Sequence, residues 1–285
     1  MKKLFVVLLA LALVVAFAAC APQGAGQPEN NDAEQAENNE SQVTEPTELI
    51  VFAAASMTET MDQIIEAYKA VEPHVHITAT YDSSGTLKTQ IEEGADCDLF
   101  ISAAQKQMNQ LDAAKGDDVN PDHLDFVLSD SRINLLENKV ALVVPEGNPA
   151  NIASFADIAD CQMIALGNSD VPVGSYSLEI LEYLGLNVAD MEAKQQITYG
   201  TNVKEVTTQV SEGTVDCGIV YATDAFSAGL EVVDTATSDM CSQVIYPAAV
   251  LKASANPEAA QNFLDYLQSD EAAAIFQSVG FVMAE

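Results

Sequence analysis

From residue 48 onward, short apolar runs alternate with segments that have the apolar spacing of a helix. This alternation restricts the fold more than any other feature, because strands separated by helices usually pair in parallel, with helices on both faces of the sheet. The sequence therefore predicts an α/β fold. The predicted strands are 48–54, 74–81, 97–103, 139–145, 161–167, 195–200, 216–222 and 242–251. The main predicted helices are 86–94, 103–114, 154–160, 175–186, 203–213 and 270–278, with two more opening near Met57 and Asn256.

The alternating units form two sets followed by a final block, which predicts two lobes rather than one sheet. Lobe I is expected to contain residues 48–130 and 224–285, and lobe II residues 131–223. Each lobe is expected to hold a mixed sheet flanked by helices, and the chain to cross between lobes twice. Ligands of such sheets bind beyond the carboxyl ends of the strands, so the cleft between the lobes is the expected binding site.

Residues 1–20 have the composition of a lipoprotein signal peptide. Lys2 and Lys3 precede an apolar run that is too short for a membrane span, and two alanines precede Cys20. The small residues before Cys20 resemble the lipobox of bacterial lipoproteins. This resemblance implies that Cys20 is lipidated and holds the protein at the outer face of the cell membrane. Ordinary signal-peptide cleavage beside an incidental cysteine is the alternative.

Residues 21–47 contain no lysine, arginine or aromatic residue and almost nothing apolar. Such a segment cannot bury enough apolar surface to offset the entropy lost on ordering. We therefore predict a disordered acidic tether between Cys20 and the folded part of the chain.

The charge balance excludes one class of partner. After residue 20, nine basic residues face 43 acidic ones. Nucleic-acid binding needs basic patches that replace the counterions of the phosphates, so we expect no nucleic-acid partner.

Four further cysteines, Cys97, Cys161, Cys217 and Cys241, lack the paired spacing of a zinc site. Outside the cell they could form two disulfides, and buried free thiols are the alternative.

Four junctions between a strand and a helix share one pattern, in which small or turn-forming residues open the first helical turn. They lie at Ser56, Ser84, Val173 and Val203. A helix N-terminus has N–H groups without intrahelical partners and about half a positive charge. Four such ends directed at one cleft would suit a small dianion without any lysine or arginine. The alternative is that each junction is only a helix cap, because Ser56 with Glu59 and Asn202 with Glu205 fit the capping box.

Four motifs, in order along residues 48–285, resemble the molybdate-binding protein of bacterial ABC importers. They are VFAAASMTETM, SSGTLKTQIEEGADCDLFISAAQKQM, VPVGSYSLEILEYLG and GIVYATDA. The resemblance implies the two-lobed type II periplasmic-binding-protein fold, with molybdate or tungstate in the cleft and an ABC permease as partner. It also implies a monomer with no catalytic activity and no cofactor.

The resemblance assigns the anion-binding roles to five residues. Ser56 and Ser84 would each offer a hydroxyl and a backbone N–H, Val173 and Val203 a backbone N–H, and Tyr221 its phenol O–H. Molybdenum would be held as an oxyanion through these donors and not as a bare metal ion.

A site made of donors alone favours a fully deprotonated oxyanion, because a protonated oxygen needs an acceptor. This disfavours hydrogen phosphate, whereas sulfate could be excluded only by cavity size. Another tetrahedral oxyanion such as sulfate is therefore one alternative ligand.

A serine hydrolase is a second alternative, with Ser56 or Ser84 as nucleophile and His74, His76 or His123 as base. The chain has no GxSxG motif, which counts against it. A purely structural surface lipoprotein is a third alternative, but it leaves the four junctions unexplained.

Overall fold

The computed structural model describes residues 46–285. The predicted signal peptide, the lipidation at Cys20 and almost all of the predicted tether lie outside the described residues. The tether boundary is wrong by one residue, since Thr47 already pairs with Val75 as the first residue of a strand. No helix within residues 46–285 has the length and apolar character needed to cross a membrane.

The first mixed sheet contains six strands in the order β11-β4-β10-β3-β1-β2. Strands β1, β2 and β3 are parallel, while β10 runs antiparallel to both β3 and β4, and β11 runs antiparallel to β4. Its strands are β1 (Thr47–Ala54), β2 (Val75–Asp82), β3 (Leu99–Ile101), β4 (Ile133–Asn138), β10 (Val244–Val250) and β11 (Val282–Met283).

The second mixed sheet contains five strands in the order β7-β6-β8-β5-β9. Strands β6, β7 and β8 are parallel, and β5 runs antiparallel to both β8 and β9. Its strands are β5 (Val140–Val144), β6 (Ile164–Gly167), β7 (Ile197–Gly200), β8 (Cys217–Tyr221) and β9 (Glu231–Thr235).

Nine α-helices and three short 3-10 helices connect the strands within residues 46–285. The α-helices are α1 (Thr58–Tyr68), α2 (Ser84–Glu92), α3 (Gln105–Leu111), α4 (Pro172–Tyr183), α5 (Val188–Ala193), α6 (Val203–Ser211), α7 (Ala222–Ala228), α8 (Pro257–Tyr266) and α9 (Asp270–Ser278). The 3-10 helices are Ala55–Met57, Ser129–Ser131 and Phe155–Asp160. Proline opens both α4 and α8, where its missing N–H removes no helical hydrogen bond.

The two sheets divide the chain differently from the predicted lobe boundaries. Residues 131–223 were assigned to lobe II, but β4 within them pairs with β10 of the first sheet. Residues 224–285 were assigned to lobe I, but β9 within them pairs with β5 of the second sheet. The chain crosses first at Asn138–Lys139 and again between Thr235 and Val244. Strand β4 has charged or polar side chains beside its leucines, and β9 is largely exposed, so neither has the apolar run of a buried strand.

Strands β4, β9 and β11 and helices α5 and α7 were not predicted. Strand β11 and the two helices are too short to show a clear period, and β4 and β9 lack a continuous apolar run. The four cysteines within the described residues form no disulfide, and Cys97, Cys161 and Cys217 are buried free thiols. Of the two alternatives, the structure therefore has free thiols.

Candidate functional site

A small cavity of about 10 Å³, close to the space that one water molecule needs, lies where the two sheets meet. Its lining residues come from the carboxyl ends of six parallel strands, three in each sheet, or from the first residues that follow them. The lining consists of Ala54, Ala55, Ser56, Asp82, Ser83, Ser84, Ala103, Val171, Pro172, Val203 and Tyr221. The position is the one expected for parallel sheets, beyond the carboxyl ends of their strands.

The structure brings four of the five predicted site residues to this cavity. Ser56, Ser84, Val203 and Tyr221 line it. Val173 is fully buried in the first turn of α4 but does not line the cavity itself; the preceding residues Val171 and Pro172 do.

Ser56 does not cap a helix. It lies within the 3-10 helix Ala55–Met57, and neither this helix nor α1 has a side-chain cap. The Ser56 hydroxyl is instead 2.9 Å from the hydroxyl of Tyr246 on β10. The alternative of a capping box between Ser56 and Glu59 is therefore wrong. The Ser56 hydroxyl is not used by a helix cap, and Ser56 lines the cavity.

Ser84 is the first residue of α2, and its neighbour Ser83 caps the helix by accepting a hydrogen bond from the N–H of Thr86. The Ser84 hydroxyl accepts a hydrogen bond of 2.9 Å from the N–H of Ala103. Because the Ser84 hydroxyl oxygen is the acceptor in this bond, the hydroxyl can still donate its proton in a hydrogen bond to another group.

Val203 opens α6, which Asn202 caps by accepting from the N–H of Glu205 at 3.1 Å. The Glu205 carboxylate accepts from the N–H of Thr201 and not from that of Asn202, so only half of the predicted capping box is present. The side chains of Val173 and Val203 belong to the apolar core.

First-turn N–H groups have no acceptor within their own helix. Those of Ser84, Val173 and Val203 also bond no other acceptor among residues 46–285. They are therefore the free donors that a helix N-terminus offers to an anion.

Tyr221 ends β8 and is 1% exposed. Its hydroxyl lies 3.4 Å from the carbonyl oxygen of Ala103, a long hydrogen bond. Burial, together with Tyr246, Tyr176 and Asp224 nearby, raises the pKa of Tyr221 well above its usual value. The phenol thus keeps its proton and acts as a donor.

Asp82 is the single charged residue in the described lining of the cavity. Its Oδ1 accepts from the N–H of Ser83 at 2.7 Å and lies 3.5 Å from Nδ2 of Asn202. The expectation of a site made of donors alone therefore needs correction, because a carboxylate acceptor borders it.

Besides the bond between Tyr221 and Ala103, three contacts join the two sheet units beside the cavity. The N–H of Gly85 bonds the carbonyl oxygen of Asp170 at 3.0 Å, and Asn202 contacts Asp82. Lys204 on α6 bonds both carboxylate oxygens of Glu59 on α1 at 2.8 Å. These contacts hold the two units together around the cavity.

Asp224 is a fully buried carboxylate at the start of α7. Neither of its oxygens accepts a hydrogen bond within residues 46–285, although the Lys204 ammonium lies 3.3 Å from Oδ1. Burial raises the pKa of Asp224 to about 6; Lys204 opposes that shift, and Glu59 adds to it.

None of the histidines that a serine hydrolase would require, His74, His76 and His123, lines the cavity. His74 and His76 are exposed at the amino end of β2, whereas Asp82 at its carboxyl end lines the cavity. The six residue steps along the strand from His76 to Asp82 span about 20 Å. No group of three or more His, Cys, Asp or Glu side chains in the described part of the chain could hold a metal ion.

Sequence reasoning missed several lining residues, among them Ala103 and Asp82. Both follow or end a parallel strand, and the turn signal in YDSS did mark the neighbourhood of Asp82. Tyr246, which bonds Ser56, was placed in a strand but given no role. No local signal could have identified it, because 190 residues separate the two in sequence.

Comparisons with known proteins identify the relatives of this chain. The family model of the bacterial extracellular solute-binding proteins matches residues 49–282. The Bacillus subtilis "Putative ABC transporter substrate-binding lipoprotein YvgL" is 37% identical over 82% of this chain and 85% of its own length. The Escherichia coli molybdate-binding protein ModA is 32% identical over 82% of this chain and 89% of its own length.

A solved structure with the same fold is the "substrate binding domain of putative molybdenum ABC transporter" from Clostridium difficile. It is 35% identical, has a TM-score of 0.62, and the match covers 84% of this chain and 100% of that one. The resemblance drawn from the four sequence motifs and the predicted fold class are thereby confirmed, and the relatives are solute-binding proteins rather than enzymes.

The contact between Gly85 and Asp170 gives a test of how the two sheet units meet. A Cβ at Gly85 would overlap the Asp170 carbonyl, so we expect Gly85→Ala to separate the units. Small-angle X-ray scattering should then give a larger radius of gyration than for the wild type. Gly116→Ala is the matched control, because a Cβ there meets nothing within 4 Å. Identical scattering from Gly85→Ala and the control would contradict the close approach.

The raised pKa of Asp224 gives a test by pH. The folded wild type binds this proton more tightly than the unfolded chain, so the contribution to stability is fully present below the usual pKa of 3.8 and is lost as pH rises through about 6. Asp224→Asn cannot titrate. We therefore expect its free energy of unfolding, relative to the wild type, to rise between about pH 4 and pH 6.

Urea unfolding across this pH range measures the difference for Asp224→Asn. The exposed Asp239→Asn serves as control and should stay close to the wild type throughout. A difference between Asp224→Asn and the wild type that is constant with pH would show that Asp224 is not the titrating group.

Proposed function

The chain belongs to the family of bacterial extracellular solute-binding proteins, and from that premise we propose that it is the receptor of an ABC importer for molybdate or tungstate. The observation that carries the proposal is the cavity at the meeting point of the sheets, where helix N-termini and hydroxyl groups gather and no lysine or arginine is present in the described lining. Its relatives that carry the name molybdate-binding protein support the choice of ligand.

The donors fit a small anion with several oxygens. Ser56, Ser84, Val203 and Tyr221 all line one cavity. The proposed donors are the hydroxyls of Ser56, Ser84 and Tyr221 and the N–H groups of Ser84 and Val203. The N–H of Val173 adds a donor from the first turn of α4, beside the lining residue Pro172. A tetrahedral oxyanion offers four oxygens in four directions, and the proposed donors come from both sheets.

Cavity size supports an inorganic ion over an organic solute. The volume is about 10 Å³, whereas sites for organic ligands usually measure about 300–1,000 Å³. An organic carboxylate would also be expected to recruit an arginine, since the guanidinium binds both carboxylate oxygens. Neither the size nor the lining of this cavity favours such a ligand.

Selectivity among oxyanions depends on Asp82 as well as on the donors. A carboxylate beside the site repels a fully deprotonated anion but can accept the proton of hydrogen phosphate. In the structure Oδ1 of Asp82 already accepts from Ser83 and faces Asn202. We propose that these contacts hold the Asp82 carboxylate against Ser83 and Asn202, so that the hydrogen-bond donors determine the preference for molybdate or tungstate.

We further propose that the mature protein is a monomer lipidated at Cys20 and joined by the acidic tether to its folded part. The two lobes would close around the anion and present it to a membrane permease. The contacts of Gly85, Asn202 and Lys204 across the cavity belong to the closed form in this proposal. No chemical step is involved.

Ligand-induced stabilisation tests the proposed function. A ligand present at about 100 times its dissociation constant stabilises a protein by about 2.7 kcal/mol. Molybdate and tungstate should therefore raise the melting temperature clearly, while sulfate and phosphate at the same concentration should change it little. Equal stabilisation by all four anions would remove the claim of selectivity, and stabilisation by phosphate alone would assign the acceptor role to Asp82.

Serine variants test the site itself in the same assay. Ser56→Ala and Ser84→Ala each remove a hydrogen bond to a charged ligand, so molybdate should bind roughly 10- to 100-fold more weakly, as measured by calorimetry. Ser131→Ala is the control, because this buried serine bonds the backbone at Leu128 and Val250 and lies outside the cavity lining. Unchanged molybdate affinity in both site variants would mean that the ligand binds elsewhere.

Lipidation at Cys20 has a separate test in cells. Cys20→Ser should move the protein from the membrane fraction to the soluble extracytoplasmic fraction, because the acceptor of the lipid is lost. Cys241→Ser, which changes a cysteine of the folded part, should leave it in the membrane fraction. A Cys20→Ser protein that stays in the membrane fraction would contradict the anchor.

A further inference from the structure

A buried chain of hydrogen bonds runs from the cavity to the places where the chain crosses between sheets. The Ser56 hydroxyl is 2.9 Å from the Tyr246 hydroxyl, and Nδ2 of Asn138 lies 3.2 Å from the same Tyr246 oxygen. Nδ2 of Asn138 also donates to the Thr223 hydroxyl at 2.8 Å. All four side chains are buried, with exposed fractions of 8% or less.

The direction of the hydrogen bonds in this chain follows from Asn138. Its Oδ1 accepts from the backbone N–H of Lys139 at 2.8 Å, so the amide oxygen faces Lys139 and the amide NH₂ faces the hydroxyls. An amide NH₂ has two protons and no acceptor, and one proton goes to each of Tyr246 and Thr223. The oxygen of Tyr246 is therefore an acceptor in its contact with Asn138.

The hydroxyl proton of Tyr246 can then be donated to only one acceptor. Burial, with Asp224 nearby, raises the pKa of Tyr246 well above its usual value, so the phenol keeps its proton. Among residues 46–285, its hydroxyl bonds only Asn138 and Ser56. Since an unmatched proton in a fully buried group is costly, the Tyr246 hydroxyl donates to Ser56.

The Ser56 oxygen therefore accepts a hydrogen bond from Tyr246, and the proton of the Ser56 hydroxyl must point elsewhere. This hydroxyl makes no other hydrogen bond to the described residues, and the cavity is the open space beside it. We propose that Tyr246 is a positioning residue that orients the Ser56 hydroxyl as a donor into the cavity, with Asn138 fixing the orientation of Tyr246. This inference rests on the proposed function, since it requires an oxyanion as the ligand.

Ser84 has the same orientation by a different route. The N–H of Ala103 donates to its oxygen at 2.9 Å, which leaves the Ser84 proton for the cavity. Both serines are thus set as donors before a ligand arrives. Preset donors match an oxyanion without protons, and they cost less orientational freedom on binding than freely rotating hydroxyls.

A double-mutant cycle separates this positioning role from a purely structural one. Tyr246→Phe removes the hydroxyl with little change of shape, and we expect it to weaken molybdate binding roughly tenfold when Ser56 is present. In the Ser56→Ala background the same substitution should change the affinity less than about twofold, because Tyr246 acts through Ser56. Tyr68→Phe, a buried tyrosine that packs on Phe263 and Tyr266, is the control and should leave the affinity unchanged.

Asn138→Leu gives the second variant. It removes the donor that orients Tyr246, and it should also weaken molybdate binding with Ser56 present and not with Ser56→Ala. An equal loss of affinity in both backgrounds, for either variant, would show a structural effect and overturn the inference. So would an unchanged affinity in Tyr246→Phe.

The failure of the inference and that of the proposed function are distinguishable. If the wild-type protein binds no molybdate, the proposed function is wrong and the inference falls with it. If the wild type binds molybdate and the cycle shows no coupling between Tyr246 and Ser56, only the inference is wrong. Circular dichroism and urea unfolding of each variant establish that the protein being titrated is folded.

Discussion

Backbone N–H groups that a helix cannot satisfy within itself are the constraint on which this structure depends. Such groups exist only at the start of a helix, so a site built from them needs several helices to start at one place. Parallel strands provide that arrangement, because their carboxyl ends share one edge of a sheet and each is followed by a helix. Here two sheets place such edges opposite each other, and α2, α4 and α6 begin around a single cavity. The mixed topology keeps the parallel strands together at these edges and uses the antiparallel strands elsewhere in each sheet.

The donors at this cavity are set by contacts that lie behind them. Ser84 depends on the N–H of Ala103, and Ser56 on Tyr246 and Asn138. Asn138 is the last residue of β4, and the chain passes directly from it into the second sheet. One residue therefore belongs both to the crossing and to the hydrogen bonds that reach the site, so the positions of the two sheets and the orientation of a site hydroxyl are physically connected.

The sequence predicted the parts of the structure that local chemistry determines. Short windows of sequence show the alternation of strands and helices, the four junctions and the absence of arginine near them. Four of the five proposed site residues do line one cavity. Ser56 shows the limit of such windows: SMTE has the letters of a capping box, yet the hydroxyl bonds Tyr246. The residues of β4 and β9 were assigned to the wrong lobes. The composition of an edge or polar strand does not reveal its pairing partner, because the partner is distant in sequence. Asp82 was missed because a carboxylate next to an anion site contradicts simple charge matching.

The contrast between an acidic exterior and a cavity of neutral donors has a kinetic consequence. A chain with a formal net charge of −32 repels a dianion at distances where the hydrogen-bond donors have no influence. Dissolved salt screens that repulsion over about 8–10 Å but leaves the short contacts inside the cavity nearly unchanged. Capture of the ion should therefore become faster as ionic strength rises, the reverse of electrostatic steering, while its residence time is governed by the hydrogen bonds alone.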